Sequence, residues 1–322
     1  MITLSKVKNF FQIKNLIILS LISAIIKIIE QISKGQYFHD FDVYIKTLKV
    51  LDNFGNPYLN DIYFIKELPY IYPPIISKLL EISNEYIFSF IYILIFISIF
   101  FFVYFTSNKK IKIPLLISLG ANGILIKSLM TGNISNIFYF LIILSIIFYS
   151  KNKNFLPYYF SVLLMSIVKF NFAILFLLPI IINQNKRKEF LSLIIFMCLL
   201  SSTYIFQYIF MNADFINFIN VLKKHNLSDA GSSIFSYFNY WLGFNFIISV
   251  ILHLFIFGIL LGFTIYKKNN LNPNFFLLIV LVILIFINPR LKLYDAAFGI
   301  IFLNMAIIYF NKKIVLNFFT FN

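Results

Sequence analysis

Charge is scarce in this chain, and acidic charge scarcer still. Of 322 residues 12% are charged, and Asp and Glu number 12 against 27 Lys and Arg. With 61% hydrophobic residues, 43 phenylalanines and a mean hydropathy of +0.89, there is too little polar surface to clothe a water-soluble globule. A soluble enzyme or cytosolic binding module is thereby excluded. The single cysteine, Cys198, rules out an internal disulfide; set in an apolar run, it reads as a packed core thiol. Tryptophan is nearly absent, with Trp241 alone, and the wealth of Ile, Phe, Asn and Lys is the composition of an AT-rich, bacterial kind of genome. No small-residue cleavage site follows the first apolar run, which is expected to stay as a helix. Internal repeats and heptads are also missing.

Apolar length is what the chain has in quantity. A helix needs about 20 mostly apolar residues to cross the hydrocarbon core, fewer where neighbours shelter it. Ten such stretches are predicted, at 15–33, 84–107, 114–131, 134–150, 155–170, 172–184, 189–210, 244–266, 272–288 and 294–311. The fifth and sixth are short and leave open a re-entrant hairpin around "KFN". The expected fold is all-α, a polytopic transmembrane helical bundle forming one integral membrane domain over residues 1–322.

Basic residues collect on the cytoplasmic side of membrane proteins. With the amino terminus inside, alternate connections carry Lys6, Lys8 and Lys14; Lys109, Lys110 and Lys112; Lys151 and Lys153; Lys186, Arg187 and Lys188; Lys267 and Lys268; Lys312 and Lys313. Those fifteen cations meet a single acid, Glu189, and so account for nearly all of the formal charge of +15. Anionic lipid explains the basic balance, and no nucleic acid partner is needed. Both termini are predicted cytoplasmic, and two large connections, 34–83 and 211–243, are predicted outside.

The first of these opens with "HDFDVY", two carboxylates and a histidine in a greasy chain. Tyr44, Leu48 and Leu51 then recur at helical spacing, predicting an amphipathic helix in the membrane interface that stops at Gly55. "GNPY" turns the chain, and "YIYPP" predicts an extended approach to the next span. Asp40 or Asp42 has two readings: an N-cap for the helix, or a general base taking a proton from an acceptor hydroxyl. "DFD" alone is too short to define a metal site, and His39, His225 and His253 lie far apart. Further polar residues fall near the outer ends of spans: Lys127, Lys169, and Arg290, Lys292 and Asp295 in "INPRLKLYDAAF". Each lysine alone reads as snorkelling to headgroups. Together they have the makings of a lipid-phosphate site, in which Arg offers a bidentate fork. Tyr58, Tyr70, Tyr72 and Tyr294 are candidates to stack on a sugar or isoprenoid chain, although interfacial tyrosine is ordinary in such proteins.

The series "DFDVY…GNPY…YIYPP" resembles the first extracytoplasmic loop of glycosyltransferase family 87, polytopic GT-C-type enzymes that transfer mannose or related sugars from polyprenyl-phosphate donors. In that alignment Asp40 takes the catalytic-base position. "TGNISN" is similar to the family's Gly-Gln-x-Asn step, with Asn133 where Gln is usual. "SIVKFN" corresponds to a Lys-Pro element with Phe170 replacing Pro, and "INPRLKLYDAAF" to a late outer loop, without the His that some members carry after the proline. The resemblance implies Asp40 as base and a substrate-binding set of Asp42, Tyr44, Tyr58, Tyr72, Pro73, Asn133, Lys169, Arg290, Lys292 and Tyr294. It implies inversion with no metal and no cofactor beyond the polyprenyl-phosphate sugar, a lipid or glycan acceptor, and a bacterial inner membrane with the site facing outside. The competing expectation is a transporter or flippase of lipid-linked sugars or other anionic lipids, using the same cations without bond formation. A non-catalytic assembly subunit would leave the outer polar set unexplained.

Overall fold

Residues 13–34, 39–53, 55–59, 70–81, 85–106, 109–120, 124–228, 231, 233–288 and 291–308 are described by the structure, a computed structural model. Among them every regular element is helical. Ile and Phe are mediocre helix formers in water, but in hydrocarbon the backbone has no other hydrogen-bond partner than itself, and a helix is the local solution.

Among the described residues five helices are long and apolar enough to cross a membrane: Asn15–Ser33, Ser89–Thr106, Ser135–Asn152, Lys186–Phe210 and Phe246–Tyr266. They belong to α1 (Ile13–Ser33), α4 (Glu85–Thr106), α7 (Ser135–Asn152), α10 (Lys186–Phe210) and α12 (Phe246–Tyr266), numbering the longer helices in chain order. The other five expected spans are shorter or broken. Of the third, the described parts are α5 (Lys109–Gly120), with Pro114 inside it, and α6 (Ile124–Thr131). The fifth is α8 (Leu156–Val168), and the sixth a 3-10 stretch Phe170–Phe176 running into α9 (Leu177–Ile182). These two arms run antiparallel about a turn at Lys169, tied where the Tyr158 hydroxyl donates to Leu175 O at 3.0 Å. At about 1.5 Å per residue α8 is about 20 Å long, short of the ~30 Å core. The ninth and tenth are α13 (Pro273–Phe286) and α14 (Leu293–Ile308).

Burial separates the helices into two kinds. On α13 and α14, Val280, Leu281, Leu284, Phe298, Ile301 and Phe302 are sealed in the protein. A Cβ on Gly299 would run into the Phe286 ring, so glycine permits the close approach of this pair. α1, α4, α10 and α12 instead turn rows of large apolar side chains outward, as helices bordered by lipid do. Cys198 lies on such a face of α10 and is exposed, which corrects its reading as a core thiol: position on the helix, not hydropathy of the run, decides burial.

The first connection also departs from expectation. Its helix α2 (His39–Asp52) packs against α3 (Pro74–Glu81), α4 and α6. Val43, Tyr44, Thr47, Leu48 and Val50 are buried, so α2 is embedded in protein and does not lie free on the interface. It starts at His39, which places Asp40 and Asp42 inside the first turn, where the helix dipole favours carboxylates; neither is the N-cap. Its end follows expectation, with Gly55 N–H donating to Val50 O at 2.8 Å. The extended approach of "YIYPP" is brief, because Pro74 sits at the first position of α3, where its missing N–H costs nothing. In the second connection α11 (Asn212–Ser228) reaches the first, where Asn56 Nδ2 donates to Asp214 Oδ1 at 2.8 Å, and from the end of α10 Gln207 Oε1 accepts from Ile75 N–H at 3.0 Å.

Candidate functional site

α6 cannot run straight into α7. Gly132 adopts φ +66, a left-handed turn that suits glycine, and Tyr92 donates to its carbonyl at 2.5 Å. Asn136 locks the turn from behind: it is wholly buried, accepts from Ser128 Oγ and donates to Ser128 O, both at 2.9 Å. Asn133 is thereby held at the tip.

Three distant segments meet on that side chain. Asn133 Nδ2 donates to Asp40 Oδ2 at 2.8 Å, while Oδ1 accepts from Lys169 Nζ at 3.1 Å and from Ser135 N–H at 2.9 Å. Lys169 Nζ also donates to Ser135 Oγ at 2.8 Å. Every contact agrees on which end of the Asn133 amide is nitrogen, since a carboxylate only accepts and an ammonium only donates. Asn133 is buried, whereas Asp40 and Lys169 are partly open. Two hydrogen bonds and one amide between them put the carboxylate and ammonium within ~8 Å of each other.

A shell of tyrosines supports this arrangement. Tyr44 and Tyr72 share a hydroxyl–hydroxyl bond of 2.8 Å, the Tyr44 oxygen accepts from Ile134 N–H at 3.2 Å, and Tyr58 donates to Tyr72 O at 2.8 Å. Burial pushes the phenols of Tyr44, Tyr58, Tyr70 and Tyr72 upward, so all four stay neutral. For Tyr72 the next cause is the Asp40 carboxylate; the Asp295 carboxylate adds to the rise, and the Tyr44 hydroxyl and Asn133 amide act against it. Tyr72 therefore lies within electrostatic reach of both acids.

Asp295 enters from the first turn of α14. It is 2% exposed, its Oδ2 accepts from Lys292 N–H at 3.1 Å as in a capping box, and the charges of Lys169 and Lys292 both act on it.

Of the sequence-predicted residues, Asp40, Asn133 and Lys169 are in direct contact, with Tyr44 and Tyr72 against them and Lys292 on the rim beside Asp295. Asp42 sits about 100° per residue further round α2, two residues on, and makes no hydrogen bond to the network among the described residues. Tyr44, Tyr58, Tyr70 and Tyr72 are packed ring on ring, centroids 5.3 to 5.5 Å apart, and buried; they brace the site and present no open stacking face. That corrects the expectation for Tyr58, Tyr70 and Tyr72 as platforms. Pro73 is buried beside them, Tyr294 lies in the first turn of α14, and Arg290 lies outside the described residues. Ser135 and Tyr92 were not singled out, and Asp295 was named among the outer polar residues without a role. Ser135 was legible as the next polar side chain in "GNIS", and Asp295 as a lone acid opening an apolar helix; nothing in the sequence marked Tyr92. Among the described residues no three His, Cys, Asp or Glu side chains gather as a metal would require.

No protein-family model, curated protein or solved structure matches the chain.

Proposed function

We propose that the chain is a membrane glycosyltransferase that moves a hexose, mannose-like, from a polyprenyl-phosphate sugar to the hydroxyl of a lipid or glycan acceptor. The observation that carries this reading is the Asp40–Asn133–Lys169 bridge, an acid and a cation from segments 129 residues apart held to one amide. Asp40 removes the acceptor proton as the hydroxyl oxygen attacks the anomeric carbon. The bond from that carbon to the phosphate oxygen breaks with its electron pair on oxygen, and Lys169, with Lys292 on the rim, stabilises the released polyprenyl phosphate. An acid and a cation on either side of one amide suit in-line displacement, in which the base sits at the attacking hydroxyl and the cation at the leaving phosphate. Inversion at the anomeric carbon follows.

The finer topology belongs to the same proposal: ten membrane-embedded stretches, the termini in the cytoplasm, and the Asp40 end facing outside a bacterial inner membrane. The lysine distribution supports it.

Purified protein in nanodiscs, given radiolabelled polyprenyl-phosphate hexoses and membrane-lipid acceptors, is expected to form labelled glycolipid. Asp40→Asn keeps the shape and removes the basicity, and a loss of about 10²–10⁴-fold is expected. Transfer at the parental rate by the folded variant refutes Asp40 as base. Lipid movement across the bilayer with no product points to a flippase instead.

A further inference from the structure

From Gly231 to Tyr266 the chain has no Asp, Glu, Lys or Arg. The second half of that stretch is α12, but the first half is a loop, and it follows directly on α11, which carries Asp214, Lys223 and Lys224. An uncharged loop of this length is unusual in water. Its side chains are stranger still: Tyr237, Tyr240, Leu242, Phe244 and Phe246 are exposed, and Trp241 is 82% exposed.

The loop nevertheless satisfies its own backbone. Tyr237–Trp241 forms a π turn closed by Leu242 N–H to Tyr237 O at 3.1 Å. Phe244 N–H donates to Phe238 O at 3.0 Å and Asn239 Nδ2 to Phe244 O at 3.0 Å, around Gly243 at φ +68. Internal satisfaction is what a backbone needs where water is thin. Below the loop, Phe235 is buried edge-to-face against Phe246, centroids 5.4 Å apart, and its N–H donates to His253 Nδ1 at 3.2 Å. With Nδ1 accepting, Nε2 carries the ring hydrogen and donates to Ile287 O at 2.8 Å. The loop is thus pinned to the turn that leads into Lys292 and Asp295.

We infer that residues 237–246 form an interfacial anchor, an aromatic knob seated among the lipid headgroups of the leaflet at the Asp40 end. The occupant is the bilayer itself, because the exposed patch continues without a break into Ile247, Ile248, Ile251 and Phe255 on the lipid-facing side of α12. Trp and Tyr prefer this depth, where the ring is in apolar surroundings and the N–H or O–H reaches water. Through His253 the knob sets the height at which the α13–α14 turn meets the leaflet, and with it the depth at which a lipid headgroup meets Lys292. The inference stands whether or not the chain transfers sugar.

Trp241 is the sole tryptophan, so its emission reports this loop and nothing else. The full chain is reconstituted in phosphatidylcholine vesicles. Emission shifted to the blue of aqueous indole is expected, with about half the intensity lost to lipids brominated near the headgroup, less to lipids brominated at the chain ends, and little to iodide. Iodide quenching equal to that of a free tryptophan analogue, with no effect of brominated lipid, puts the loop in water and overturns the inference. Strongest quenching by chain-end bromines puts it in the hydrocarbon core and overturns it too.

Discussion

Each end of the bundle holds an acid to an asparagine, and the two pairs differ in what lies beyond them. At one end Asn133 donates to Asp40 and spends its oxygen on Lys169. At the other, Asn183 donates to Glu189 at 2.7 Å, Tyr159 donates to the same carboxylate at 3.1 Å, and the nearby lysines go elsewhere. Lys186 caps the carbonyls of Ile180 and Ile181, Lys268 that of Ile182 at 3.3 Å, and Lys153 and Lys267 lie over aromatic rings. Glu189 is 3% exposed and its oxygens are occupied, whereas Asp40 is partly open. Abundant positive charge does not make a site. The lysine end spreads one sign over helix ends, where it meets the helix dipoles. The Asp40 end joins both signs through a buried amide, the arrangement on which the proposed transfer reaction rests.

The largest effect should separate the two acids. Asp40→Asn should lower transfer by the same factor of about 10²–10⁴ while leaving thermal unfolding close to that of the parent. Glu189→Gln should do the reverse, removing a charge-assisted bond pair inside the protein and costing about 1–3 kcal/mol, with the specific activity of the folded fraction unchanged. Equal loss of activity in both, measured on monodisperse protein, would erase the distinction between the ends.

Next come the cations. Lys169→Met should lower kcat/KM by about 10²–10³-fold, as the loss of a charge opposite a leaving phosphate does, and weaken inhibition by polyprenyl phosphate. Lys268→Met should change neither. Asn133 sits a step lower: Asn133→Ala uncouples acid from ammonium and should cost about tenfold, while Asn133→Gln, which keeps both amide functions, should recover part of the loss.

What the sequence made legible follows from the range over which its signals act. Membrane residence, the long helices and α2 rest on composition and period, which are local and unambiguous. The gap between the expected spans 114–131 and 134–150 falls on Gly132, where the chain turns. Where Asp295 ends up was not readable, because it depends on how α14 packs against α5, α6 and α7, and apolar helices carry little pattern to specify neighbours. The same blindness turned Cys198 inward and the tyrosines of the first connection outward. Hydropathy tells how greasy a residue is, not whether lipid or protein surrounds it, so a membrane chain hides its core among residues of equal apolarity.

The smallest effect belongs to the tyrosine shell, and it tests whether bracing is all that shell does. Tyr44→Phe removes the hydroxyl that meets both Tyr72 and Ile134 N–H, so a loss of about 1 kcal/mol is expected, with transfer reduced only as folding is reduced. Its pH dependence has a definite sign. Burial raises the Tyr44 and Tyr72 phenols, so their hydrogen-bonded neutral form contributes in full below the ordinary tyrosine range, and the contribution disappears only as pH climbs through the raised values. Thermal unfolding of parent and Tyr44→Phe should therefore differ by a constant amount from about pH 6 to pH 9. A gap that closes within that interval would mean the hydroxyl pair ionises with the site and takes part in its proton chemistry, and the line drawn between brace and reaction centre would have to move inward past Tyr72.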